Sequence, residues 1–210
     1  RDYAPKTDAL MVSLERLSDH KRLSTSVSFS YLREDNGVLG TGGTGGLSFV
    51  DHTYSQGVTL GSSLRMTKNT RISASYTEAF SDADTSSNSL LALNSSNLSS
   101  SAFALGFQAK QILRADDTLS FSISQPLRIG GGSMSLTHDD YYDEDETLHS
   151  RSVDIDLRPN GRQMDYQLEY VFSPRLDKLR MGLFAYYSDE YLHQESLTDH
   201  GIGFRLNKTF

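Results

Sequence analysis

Leu23-Ser24-Thr25-Ser26-Val27-Ser28-Phe29-Ser30-Tyr31 alternates without a break, with serine at every even position and an apolar, aromatic or β-branched residue at every odd one. Successive side chains of a β-strand point to opposite faces, so a period of two marks a strand with one apolar and one small polar face. The pattern spreads outward from there. Leu119, Phe121 and Ile123 alternate with Ser120, Ser122 and Ser124, and Ile72, Ala74 and Tyr76 with Arg71, Ser73 and Ser75. Phe103, Leu105 and Phe107 alternate with Ala104, Gly106 and Gln108, and Val153, Ile155 and Leu157 with Asp154, Asp156 and Arg158. Met164, Tyr166, Leu168, Tyr170 and Phe172 oppose Gln163, Asp165, Gln167 and Glu169.

Alternation alone suits a soluble sandwich as well as a membrane barrel. Length and chemistry separate the two. The alternating segments run to about nine to twelve residues, enough to cross a bilayer at a tilt, whereas strands of globular proteins are mostly five or six residues long. The polar positions hold mainly Ser, Gly and Thr, which fit a confined lumen; a solvated face would carry more Lys and Glu. The composition agrees. Only 37% of the 210 residues are hydrophobic, mean hydropathy is −0.45, and the longest apolar run is Leu183–Tyr187. A spanning helix needs ~20 apolar residues, but a barrel needs only alternate ones. Tyr (11) and Phe (10) are plentiful enough for interfacial girdles although Trp is absent.

These features predict an all-β fold, a transmembrane antiparallel barrel in the bacterial outer membrane. Its strands are expected at 9–18, 22–33, 46–54, 57–66, 69–80, 101–113, 117–129, 133–142, 147–158, 162–172, 178–188 and 199–210. That makes twelve, or ten if the poorly patterned 34–54 region drops out, with both termini on the periplasmic side. Parity then puts 81–100, 189–198 and the Pro159-Asn160-Gly161 turn outside the cell. It puts 34–54, Thr67–Thr70, Arg114–Asp116, Asp143–Glu146 and Ser173–Asp177 on the periplasmic side. Val27, Phe29, Phe103, Leu105, Phe121, Ile123, Ile155, Leu168, Phe204 and Leu206 should face lipid. Residues 1–8 read as the remnant of a linker and 9–210 as the barrel. The chain opens at Arg1 with no signal peptide, as a processed or truncated export product would.

The last strand adds a signature: Ile202, Phe204, Leu206 and the terminal Phe210 form an apolar stripe, which Lys208 interrupts. With it go Arg33-Glu34-Asp35-Asn36-Gly37-Val38-Leu39-Gly40, Ser124-Gln125-Pro126-Leu127-Arg128-Ile129 and Arg158-Pro159-Asn160-Gly161-Arg162. Spread over nearly the whole chain, these stretches resemble the C-terminal translocator barrel of classical autotransporters, closest to those with subtilisin-like serine protease passengers. The resemblance implies a barrel that exports an N-terminal passenger, absent here, and anchors it. It also implies a helical linker threading the pore, and Ile202, Phe204, Leu206 and Phe210 as the signal read by the barrel-assembly machinery. Any protease activity would belong to the passenger, so no catalytic residue is carried over.

Other motifs take bland readings. Gly40-Thr41-Gly42-Gly43-Thr44-Gly45 matches G-x-G-x-x-G, yet the strand-like Leu47-Ser48-Phe49-Val50 follows where a nucleotide fold needs a helix. The acids from Asp139 to Glu146 lack the glycine and spacing of a calcium loop. Asp199, His200 and Ser196 form a triad only if forced. Without cysteine there is no disulfide framework or thiolate metal site, and no cofactor is implied. The net charge of −7 argues against a nucleic-acid partner. The charges expected inside the lumen are Arg65, Arg71, Lys110, Arg128, Arg158, Arg180 and Arg205, with Asp154, Asp156, Asp165 and Glu169. They pair across strands or hold a segment there, the chain's own passenger or a separate polypeptide. The expected role is translocator and membrane anchor, without chemistry of its own. A small-solute pore is the alternative, and a barrel-embedded hydrolase a more distant one.

Overall fold

The computed structural model describes residues 6–18, 22–35, 37–38, 41–42, 51–84, 91–93, 98–142, 148–174 and 179–208. Its strands are β1 (Thr7–Leu17), β2 (Leu23–Asp35), β3 (Gly37–Val38), β4 (Thr41–Gly42), β5 (His52–Arg65), β6 (Thr70–Asp84) and β7 (Leu91–Leu93). They continue with β8 (Leu98–Lys110), β9 (Thr118–Gly131), β10 (Ser133–Tyr142), β11 (Leu148–Asp156), β12 (Met164–Phe172), β13 (Leu179–Asp189) and β14 (Asp199–Lys208). Nine form one sheet in the order β1-β2-β5-β6-β8-β9-β12-β13-β14, each antiparallel to its neighbours. Pairing carries the alternation across the sheet. One rung runs Leu23, Leu64, Ile72, Phe107, Phe121, Leu168, Ala185, Ile202. The next runs Ser24, Ser63, Ser73, Gly106, Ser122, Gln167, Tyr186, Gly201 on the opposite face.

The usual distribution of polarity is inverted. Among the described residues the buried apolar side chains are Leu98 and Ala109 alone, while Glu34, Thr53, Ser55, Ser81, Ser100, Asp117, Gln125, Gln163 and Ser188 are buried. The apolar face is exposed, from Leu10 through Phe29, Leu60 and Leu105 to Ile202 at 88%. The polar face satisfies itself across strands. Ser13 and Ser28 share a hydrogen bond of 2.8 Å, Thr59 and Thr77 one of 2.8 Å, and Ser55 and Ser81 one of 2.7 Å.

The connections sort by length onto two ends. At the short-turn end lie 18–22, 66–69, 111–117 and 173–178; at the long-loop end lie 36–51, 85–97, 132–163 and 190–198. This corrects several expectations. His52–Arg65 is one strand, merging the end of the expected 46–54 strand with 57–66; residues 43–50 lie outside the described set. The 36–51 connection joins the long loops, so the parity that put it with the short turns fails. The 133–142 and 147–158 strands exist, but they pair with each other, and β10 also with β7, in a separate three-stranded sheet. That hairpin is rooted at the long-loop end, where the Leu157 N–H donates to the Gly132 carbonyl at 3.0 Å. Ile155 therefore stands outside the nine-stranded sheet, and the expected turn Asp143–Glu146 lies outside the described residues. Thr7 and Asp8 are strand rather than linker, and β1 starts at the long-loop end while β14 finishes at the short-turn end. The two ends of the sheet thus emerge on opposite sides. No pairing joins β14 to β1 among the described residues.

Candidate functional site

The polar face is the chemically distinctive surface. Register places Arg65, Arg71, Gln108, Ser120 and Glu169 on one rung of it, and Lys110, Arg180 and Arg205 on rungs nearer the short-turn end. A concavity on this face is bounded by Ser63, Arg71, Ser73, Gln108, Gln167 and Glu169. Within this group Arg205 forms an ion pair with Glu169, at 3.8 Å. Asp165 lies farther toward the long-loop end, opposite Ser124 and Ser188. It accepts a hydrogen bond from Gln163 at 2.8 Å.

Glycines set the thickness of this layer. A Cβ on Gly203 would sit 2.0 Å from the Phe184 ring, and one on Gly201 2.6 Å from the Tyr186 ring. Both aromatic rings therefore lie over glycine on the neighbouring strand, the cross-strand arrangement by which aromatics cover exposed backbone.

Four of the expected lumen charges stand elsewhere. Asp154, Asp156 and Arg158 belong to the β10–β11 hairpin and the segment following it, outside the nine-stranded sheet. Arg128 is displaced by a bulge. Between the Ser101–Arg128 and Phe103–Gln125 pairs β9 holds one residue more than β8, at Pro126 and Leu127, and a bulge is where proline is tolerated in a sheet. The extra residue inverts the alternation and sets Arg128 opposite Ser101, on the rung of Val58 and Phe29.

Arg128 instead secures the long-loop rim. Its Nε donates to the Gly161 carbonyl and its Nη2 to the Pro159 carbonyl, both at 2.9 Å. His193 completes the latch. Its Nδ1 accepts the Gln163 N–H at 2.9 Å, so the ring proton sits on Nε2, which donates to the Leu127 carbonyl at 3.2 Å. The Leu192 N–H donates to Gln163 Oε1 at 2.8 Å, the Gly161 N–H donates to the His193 carbonyl at 2.9 Å, and the Arg162 N–H to Glu190. Three turns interlock. They hold Glu190, Leu192, His193 and Ser196 at positive φ between 49° and 66°, a strained geometry that persists only where surroundings over-determine it. A Cβ on Gly161 would meet the His193 carbonyl oxygen at 2.8 Å, so this turn takes glycine.

At the short-turn rim Asp117 is buried and accepts four hydrogen bonds. The Ile112, Leu113 and Arg114 N–H groups donate at 2.7, 2.8 and 2.9 Å, and the Tyr170 hydroxyl at 2.8 Å. Withdrawal from water raises its carboxyl pKa, but the Tyr170 hydroxyl and the three amides lower it more, leaving it below the usual carboxylate value.

Neither Asp117 nor the Gln163–His193 pair was singled out by sequence. The three amides that donate to Asp117 lie three to five residues before it, a local loop closure that alternation does not report. The triad does not assemble: Asp199 stands opposite Ser188 and His200 opposite Tyr187, on opposite faces of β14. Ile202, Phe204 and Leu206 share the apolar face, while Phe210 and the acids 143–146 lie outside the described residues. Comparison of the chain with family models, curated proteins and solved structures finds no match.

Proposed function

We propose that this chain is a translocator and anchor in the bacterial outer membrane, its sheet curled into a barrel with the serine-glycine face inside. The inverted polarity carries the reading. Among the described residues an exposed apolar face runs from Leu10 to Ile202, which far exceeds what a soluble monomer tolerates. Hydrocarbon covers it at a gain of about 1.5–3 kcal/mol per large side chain. Unpaired strand edges do not survive in lipid, so the ring must close. Nine antiparallel strands leave β1 and β14 running in the same direction. An all-antiparallel ring then takes an odd number of further strands between them. One such strand makes a ring of ten and three make a ring of twelve.

The translocator role rests on the resemblance of 33–40, 124–129 and 158–162 to autotransporter barrels and on the small, self-satisfied polar face, along which a chain can slide. The partners are outer-membrane lipid, the assembly machinery and the passenger or another polypeptide inside. A reporter segment joined before Arg1 should become accessible to external protease on intact cells. A reporter held in the periplasm, with the barrel itself assembled, would remove the export role. A simple solute pore is the second reading, favoured by the cationic polar rungs of Arg65, Arg71 and Arg180.

A further inference from the structure

At the short-turn end the β1–β2 turn and the β5–β6 hairpin are tied together, the Arg65 N–H donating to the Arg22 carbonyl at 2.7 Å. Between them lies a hollow lined by Arg22, Arg65, Met66, Thr67 and Lys68. Its three cations are exposed, and none pairs with a carboxylate among the described residues. Arg65 also stands directly across from Arg71, and like charges in that position destabilise a strand pair. The turn carrying Lys68 is held in one shape. Thr67 Oγ1 accepts the Asn69 and Thr70 N–H groups at 3.2 and 3.1 Å and shares a 2.7 Å hydrogen bond with the Thr70 hydroxyl. Beside the hollow the apolar face begins, with exposed Leu23 opposite exposed Leu64, and Met66 exposed at the rim.

We propose that this hollow binds the phosphate of an anionic phospholipid. The inference rests on the membrane reading and adds the headgroup chemistry that the short-turn rim selects. A phosphate diester supplies what the site lacks, anionic oxygens for two guanidinium forks and one ammonium, and relieves the Arg65–Arg71 repulsion. Free phosphate has the same chemistry, but the apolar rim of Leu23, Leu64 and Met66 suits a ligand that carries acyl chains.

The test starts with the full chain refolded into phosphatidylcholine vesicles, where protease protection of the strands decides the membrane reading independently of headgroup. The chain is then refolded with phosphatidylglycerol and phosphatidylcholine together and examined by native mass spectrometry. Preferential retention of phosphatidylglycerol is expected. The Arg22→Gln, Arg65→Gln, Lys68→Gln variant should weaken it about fivefold per charge removed. Lys68→Glu alone, at the exposed turn, should act in the same direction, and Arg162→Gln at the other end should change nothing. Equal retention of the two lipids, or a triple variant indistinguishable from the parent, overturns the proposal. Displacement of phosphatidylglycerol by an equal concentration of inorganic phosphate overturns the lipid assignment in favour of free phosphate. If the chain enters no vesicle, the membrane reading fails. Titration of inorganic phosphate into the chain in micelles then decides the hollow by itself: shifts of the Arg22 and Arg65 side-chain resonances sustain an oxyanion site, and their absence overturns it.

Discussion

Gly203 leaves no room for a side chain, because the Phe184 ring occupies the place a Cβ would take. Gly203→Val should cost about 1–3 kcal/mol of stability by overpacking, read from urea unfolding in micelles. Adding Phe184→Ala should recover much of it, which a general loss of strand propensity would not allow. Asp117 gives a pH signature. Its folded pKa lies below the ordinary ~3.9, so its contribution is complete above that value and is lost as pH falls through the lower, folded one. Asp117→Asn should therefore be less stable than the parent at neutral pH, and the gap should close as the solution is acidified below pH ~4. A gap that stays constant with pH would mean the carboxylate's charge is irrelevant to the turn. On β9 the two faces separate cleanly. Arginine at Ile123, on the apolar face, should cost about 2–4 kcal/mol in a bilayer, and arginine at the neighbouring Ser122 clearly less.

The β10–β11 hairpin behaves as an appendage. Gly132 and Leu157 are hydrogen-bonded neighbours at its base, and β9 pairs directly with β12 beneath it. Deleting 133–156 and joining the ends with a short glycine linker should leave the nine-stranded sheet able to refold, judged by its protease-resistant core. Failure to refold would give the hairpin a place inside the ring. Alternation in the sequence identified these two strands correctly, because it reports that a segment has two faces. It is silent on which neighbour the segment joins, and so the sheet was overcounted. The same limit explains Arg128. A period of two extrapolates through Pro126 as though no residue were extra, whereas the proline, lacking an N–H, marks the bulge that turns Arg128 around. Where the quoted alternation is unbroken, as over 23–31, 72–76, 103–107 and 202–206, the register keeps those residues on two opposite faces as the sequence suggested, whereas Leu32 and Leu98 fall on the polar face and Glu78 on the apolar one. The latch was not, because His193 and Gln163 are 30 residues apart and meet only through three turns whose shapes depend on one another.

Across the molecule, the chain's net charge of −7 hides a polar face that is locally basic. Arg65, Arg71, Lys110, Arg180 and Arg205 gather toward the short-turn end of that face, with Glu169 beside Arg205. In a barrel these charges ring one mouth of the lumen, where a low-dielectric wall strengthens their field. Arg128 and Arg158 do not share this position, the first being held in the latch and the second lying beyond the hairpin. The arginines therefore fall into two groups with different expected behaviour in planar bilayers. Neutralising Arg71, Lys110 and Arg180 together should move the reversal potential toward cation selectivity, while Arg158→Gln should leave it in place. Joining a helix-forming segment ahead of Arg1 that can enter the lumen should lower conductance in the parent and the variants alike. If reversal potentials respond equally to both groups, the register has the wrong face inward. If neither parent nor variants conduct at all, the polar face is no conduit, and of the proposed role only the anchor survives.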